Sequence, residues 1–243
     1  MALDNLKLPT ETVELPSKGL LYPKDNPLSS GTIEMKYMTA REEDILTNTT
    51  YIQNGTVVDK LLQSLIVSNI KYDDLLTGDK NAILIAARVL GYGKDYEFTI
   101  GDATHVVDLT KIENKPLDES LFTTGINEFN YTLPHTNTDI TFKLLSHIDE
   151  KNIRKEISSI KKLNRSNPEV STRLKHMILS VGDSREPKDI REFVDNYLLA
   201  KDARELRKHI SEFQPDVDLT FFPDDGESLP IPIGIQFFYP DFK

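Results

Sequence analysis

The chain has 243 residues, a formal net charge of −10 and no cysteine, with a pI near 5.0. This length can bury a core without covalent staples, and the missing thiols exclude a disulfide framework and any thiolate metal site. The acidic balance repels nucleic acid and anionic membrane, so the expected partner is another protein.

Residues 1–32 hold Pro9, Pro16, Pro23, Pro27, Gly19 and Gly31 around the apolar group Leu20-Leu21-Tyr22. That punctuation forbids a helix and leaves two readings: a disordered tail, or an extended arm that docks on a neighbour through Leu20, Leu21 and Tyr22. No apolar stretch marks the start as a secretion signal, and no run approaches the roughly 20 apolar residues of a membrane span. The chain is therefore expected to be soluble, made in the cytosol and free of membrane contact.

Residues 33–112 read as a first structural half. Ile33, Met35 and Tyr37 alternate as a short strand, and Thr39 followed by Glu42 forms a capping box for a helix. Asn48 to Gly55 reads as a loop, and Val57, Val58, Leu61, Leu62, Leu65 and Ile66 form the stripe of a second helix. In the third, Asp79 is the expected N-cap and Gly91 the expected left-handed C-cap. Ala82, Ile83, Ile85, Ala86, Ala87, Val89 and Leu90 make it apolar nearly all round and hence buried. Tyr96, Phe98 and Ile100, the turn Gly101 to Thr104, and Val106-Val107 then spell a β-hairpin.

Residues 113–138, with Pro116, Gly125 and Pro134, read as an irregular linker, and 139–243 as a second half. Ile140, Phe142 and Leu144 alternate as a strand. Helices are expected over 149–163, 173–181 and 188–199, the last opened by Pro187. The chain closes on Phe237, Phe238, Tyr239 and Phe242, which serve either as a core plug or as an interface anchor.

The halves echo each other. Leu75, Leu76 and Asp79 match Leu198, Leu199 and Asp202; Tyr96, Phe98 and Ile100 match Val217, Leu219 and Phe221. Leu62, Ile66 and Ser68 fall beside Leu174, Ile178 and Ser180, and the run from Met38 falls beside that from Ser146. The expected fold is α+β and helix-rich, with two diverged copies of a helical unit that each end in a β-hairpin.

Recognisable reaction chemistry is absent from the pattern. His105, His135, His147, His176 and His209 lack metal spacing, and Gly91-Tyr92-Gly93 lacks the glycine spacing of a phosphate loop. Asp216, Asp218, Asp224, Asp225 and Glu227 are better explained as turn chemistry than as a cation loop. No cofactor or metal is expected. A basic segment, Lys151, Arg154, Lys155, Lys161, Lys162 and Arg165, continuing to Arg173 and Lys175, is either a solvated helix face or a docking surface for an acidic partner. An enzyme with a site between the halves is the lesser alternative, because no nucleophile, base or metal set has recognisable spacing.

LPSKGLLYP near the start, MTAREEDIL, GDKNAILIAARVLGYGKDY, TRLKHMI and the final FFYP together resemble a family: the baseplate hub and hub-assembly proteins of T-even-type contractile-tailed bacteriophages. The resemblance runs from Leu15 to Pro240, and its most specific block is GDKNAILIAARVLGYG. It implies a non-enzymatic protein that binds other tail proteins while the hub is built, in the host cytoplasm. Such a protein is either retained in the tail baseplate or acts as a transient chaperone of tape-measure or hub chains and then leaves. Relatives carry Cys-x-x-Cys at both hairpin tips in a zinc-ribbon-like arrangement. Here the resemblance puts Gly101, Thr104, Phe222 and Asp225 at those positions, so the hairpins must hold without metal. The residues it would engage in partner binding are Leu20, Leu21 and Tyr22, the stretch from Lys151 to Arg165, and Phe237, Phe238 and Tyr239.

Overall fold

A computed structural model describes residues 9–163, 168–223 and 226–239. Strand β1 (Thr10–Glu14) pairs antiparallel with β2 (Thr32–Lys36), Val13 opposite Ile33. The turns between them are possible because Gly19 and Gly31 adopt φ of 76° and 74° and lie back to back. A Cβ on Gly19 would sit 2.5 Å from the Ser29 carbonyl oxygen, and one on Gly31 would sit 2.7 Å from that of Lys18. Helices α1 (Ala40–Leu46), α2 (Thr49–Gln53) and α3 (Val57–Leu65) follow, then α4 (Thr77–Tyr92) and the hairpin β3 (Asp95–Ile100) and β4 (Ala103–Asp108). Thr39 and Glu42 form the expected capping box, and Val57, Leu61, Leu62 and Leu65 the buried stripe of α3.

Strand β5 (Phe129–Thr132) pairs with β6 (Asp139–Phe142), and β6 with β7 (Ile178–Val181), in a three-stranded antiparallel sheet. Helix α5 (His147–Lys162) and α6 (Glu169–Met177) lie between β6 and β7; α7 (Pro187–Asn196) and α8 (Ala200–Phe213) follow, then the short pair β8 (Thr220–Phe221) and β9 (Leu229–Pro230). One apolar cluster joins both halves, from Leu15, Leu28 and Ile83 to Phe142, Leu206 and Phe238. The chain thus mixes α and β, with small antiparallel sheets around a shared core.

Several expectations are corrected by this packing. Residues 9–32 are not a free arm: Leu21 and Tyr22 are 3 % and 4 % exposed, while Leu20 is partly buried, because the chain folds back over α4; residues 1–8 lie outside the described residues. Phe237 and Phe238 are fully buried, Phe237 edge-on to Tyr96 at 4.6 Å, so of the two readings they are the core plug. Tyr239 is partly buried and donates its hydroxyl to the Leu46 carbonyl. The supposed linker supplies β5, and the supposed loop from Asn48 contains α2, capped by the Asn48 side chain. The helix expected over 173–181 stops at Met177, after which Ile178 turns extended to form β7. Helix α4 begins one turn earlier than read and ends later. Asp79 is its third residue rather than its cap, and Gly93 rather than Gly91 is the exit, while Met38 packs on Gly91.

Asp79 and Asp202 both sit three residues beyond the N-cap of their helices, fully buried. Asp79 accepts hydrogen bonds from the Ser17 N–H (2.9 Å), the Ser17 hydroxyl (2.7 Å) and the Tyr22 hydroxyl (2.6 Å). Asp202 accepts from the His135 N–H (2.9 Å) and from the Thr136 N–H and hydroxyl (3.2 and 2.9 Å). Ser17 on one side, and His135 and Thr136 on the other, lie just after a Leu-Pro pair, Leu15-Pro16 or Leu133-Pro134, that ends a strand. The helix N-terminus and these donors hold a buried carboxylate that apolar surroundings alone would not tolerate.

With α2 set aside in the first and α7 in the second, two stretches run through the same order: strand, Leu-Pro turn, strand, capped helix, helix, extended segment, helix with a buried aspartate. The capped helices match in detail. Glu42 takes Lys36 Nζ at 2.8 Å and Asp149 takes Lys143 Nζ at 2.7 Å. Each carboxylate also accepts the N–H and hydroxyl of its own cap, Thr39 or Ser146. Ile66 and Ile178 leave α3 and α6 in extended conformation and lie opposite Met35 and Phe142.

Candidate functional site

The amphipathic helix α5 buries Ile153 and turns its lysines to solvent. Lys151, Arg154, Lys155 and Lys162 line one side of an open cleft of about 650 Å³, with Asn54, Thr56, Asp59, Lys60 and Gln63 of the α2–α3 segment opposite. Its floor is a polar cluster. Asp59 accepts from Lys80 Nζ and, at 3.1 Å, from the Tyr72 hydroxyl, with Arg154 at 3.5 Å and His147 Nδ1 at 3.8 Å. His147 stands edge-on to Tyr72, ring centroids 4.7 Å apart.

The electrostatics of the cluster are internally balanced. Burial works against the Asp59 charge, but the Lys80 hydrogen bond and the cations around it hold its carboxyl below the usual range. Burial, aided by Lys80, pushes His147 down against the pull of Asp59 and Asp73, so its imidazole is neutral at pH 7. Burial and the neighbouring Asp59 carboxylate push the Tyr72 hydroxyl up, which keeps it a donor. What reaches solvent is a ring of cations: Lys151 is 3.6 Å from Asp73, while Lys60, Lys155 and Lys162 have no ion-pair partner among the described residues. Such a cleft can take a segment carrying several carboxylates.

The remaining cations of the basic segment are placed elsewhere. Lys161 is exposed but does not line the cleft, and Arg165 lies outside the described residues. Arg173 is spent on a two-pronged bond to Glu150 (2.7 and 2.8 Å), and Lys175 on Asp195 at 2.6 Å. Leu21, Tyr22, Phe237 and Phe238 do not join the site; they belong to the core and are not available to a partner, and Leu20, partly buried, does not line the cleft. Lys60 and Asp59 were missed in the sequence; the polar face of α3 opposite its apolar stripe is the signal that carries them.

Gly101 and Thr104 stand at the turn of the first hairpin and Phe222 is exposed near the second, while Asp225 lies outside the described residues. Among the described residues, no helix is long and apolar enough to cross a membrane. Comparison with known protein families, curated proteins and solved structures finds no match.

Proposed function

We propose that this chain is a non-enzymatic tail protein of a contractile-tailed phage that binds other tail proteins while the baseplate hub is assembled. The observation that carries the binding role is the cationic cleft between α3 and α5, in a chain whose formal charge is −10. A cluster of unpaired lysines in an acidic protein favours an acidic segment of another protein, with charge setting the rate and orientation of docking. The place in the phage tail rests on the sequence resemblance. We also infer that the chain is two diverged copies of one unit, supported by the two buried aspartates, the two Leu-Pro turns and the two capped helices.

Quantitative mass spectrometry of purified particles, beside affinity capture of the chain from infected cells, tests the role. Presence in particles at a few copies makes it a retained hub component. Absence from particles with tail proteins captured makes it an assembly chaperone. Failure to find tail proteins by either route removes the phage assignment. Lys155→Glu with Lys162→Glu should lower capture of the tail partner at least about tenfold without moving the melting temperature.

A further inference from the structure

The two units of the chain are joined by backbone. The segment entering α4 lies antiparallel to the segment entering α5, Leu76 opposite Ser146. The Thr77 N–H donates to the Leu145 carbonyl at 3.1 Å, and the His147 N–H donates to the Leu75 carbonyl at 2.7 Å. Leu76 and Leu145 are 5 % and 8 % exposed in this joint.

Each side of the joint has a counterpart whose outward backbone groups are not paired among the described residues. In the order shared by the units, Leu198-Leu199-Ala200 stands where Leu75-Leu76-Thr77 stands, and Met38-Thr39-Ala40 where Leu145-Ser146-His147 stands. Leu199 is 48 % exposed where Leu76 is covered, and Ala40 is exposed where His147 is buried. The Leu198 carbonyl, the Ala200 N–H, the Met38 carbonyl and the Ala40 N–H have no hydrogen-bond partner among the described residues. Helix α7, which has no equivalent in the first unit, ends before this edge and leaves Tyr197 62 % exposed beside it.

We propose that two copies of this chain associate head to tail by repeating the internal joint, the Leu198–Ala200 edge of one copy pairing with the Met38–Ala40 edge of the next. The inference rests on the reading of the chain as a duplicated unit. The donors and acceptors match: Ala200 N–H to Met38 carbonyl, and Ala40 N–H to Leu198 carbonyl. Leu199 is covered in the process, and the small Ala40, where the internal joint has His147, leaves room for the Tyr197 ring. The two edges are different surfaces of one molecule, so the contact is heterologous and builds a ring or an open row rather than a closed pair. The paired surface is small, which makes the association weak in dilute solution and effective where an assembling structure holds copies close together.

Sedimentation of the full chain from micromolar to about 0.5 mM should show an average mass rising above 27.7 kDa. Ala40→Pro deletes one donor at a first helical position, where proline is accepted. Leu199→Asp removes the apolar contact and puts a favoured residue at the N-cap of α8. Each variant alone should stay at the mass of one chain. Mixed in equal amounts they should form a one-to-one dimer and nothing larger, because each keeps the edge the other has lost. A wild-type chain that remains single across the range, or variants that associate as well as wild type, would overturn the proposal. Neither result touches the duplicated unit itself, which the paired aspartate substitutions described below report on, nor the hub role, which particle composition tests.

Discussion

Asp79 and Asp202 set the conformation of segments far from them in sequence, and the cost of altering either is a matter of donors without an acceptor. In Asp79→Asn the amide group must face either the Ser17 N–H or the two hydroxyls, and in Asp202→Asn either the His135 N–H or the Thr136 donors. Each substitution should destabilise the chain by about 1–3 kcal/mol per orphaned donor. Urea unfolding measures it, and losses of unlike size, one near zero, would count against equivalent roles. Glu42 gives a pH dependence. Burial opposes its ionisation, but the bonds from Lys36 and Thr39 outweigh burial and hold the carboxyl at about 2, against 4.5 for a free one. A depressed folded-state value means stability that is present above the unfolded value and lost as pH falls from about 4.5 toward 2. The gap in unfolding midpoint between wild type and Glu42→Gln should therefore be widest near neutrality and shrink through that window; a gap independent of pH would remove Glu42 as its source.

At the scale of elements, periodicity spoke plainly where an element meets one environment along its length. The stripe of α3, the capping box of α1 and the alternation of β3 were legible because spacing alone decides them. What was not legible depends on partners distant in the chain. Ile178-Leu179-Ser180-Val181 continues the apolar run of α6 and only the neighbouring β6 makes it a strand. Asp79 satisfies the local rule for a cap, yet donors some sixty positions upstream place it inside the helix. The cleft was half legible: the cations of α5 stand out in sequence, whereas Lys60 and the clamp on Asp59 need the fold. Helix α4 also carries a constraint that no helix rule suggests. A Cβ on Gly78 would lie 1.9 Å from the Pro215 carbonyl oxygen, backbone that cannot swing aside. Gly78→Ala, which by helix propensity alone should stabilise by up to about 1 kcal/mol, should instead destabilise by about 1–3 kcal/mol. A raised melting temperature in that variant would mean the two segments are not so close.

The whole molecule behaves as one cooperative body if the shared apolar cluster is what holds it. Calorimetry should give a single transition whose calorimetric and van't Hoff enthalpies agree, with Phe238→Ala lowering the stability of the entire chain by about 3–5 kcal/mol. Two separable transitions, only one of them moved by the substitution, would mean that the halves fold on their own cores. That cluster draws on the segments read as arm, linker and both halves, with Leu15, Leu133, Ile83 and Phe142 all in it. Pro and Gly mark where the chain turns, but not whether the turning segment lies over an apolar helix or in water. Leu21, Tyr22, Phe237 and Phe238 were visible as apolar groups in awkward places, and only the tertiary neighbours decide that they face inward.

The packing of Phe237 against Tyr96 also orders events during synthesis. Tyr96 leaves the ribosome 141 residues before the ring that covers it, a separation read directly from the two positions. The face of Tyr96 that Phe237 covers therefore stays open while the intervening residues are made. A product terminated before Phe237 leaves that face without its cover.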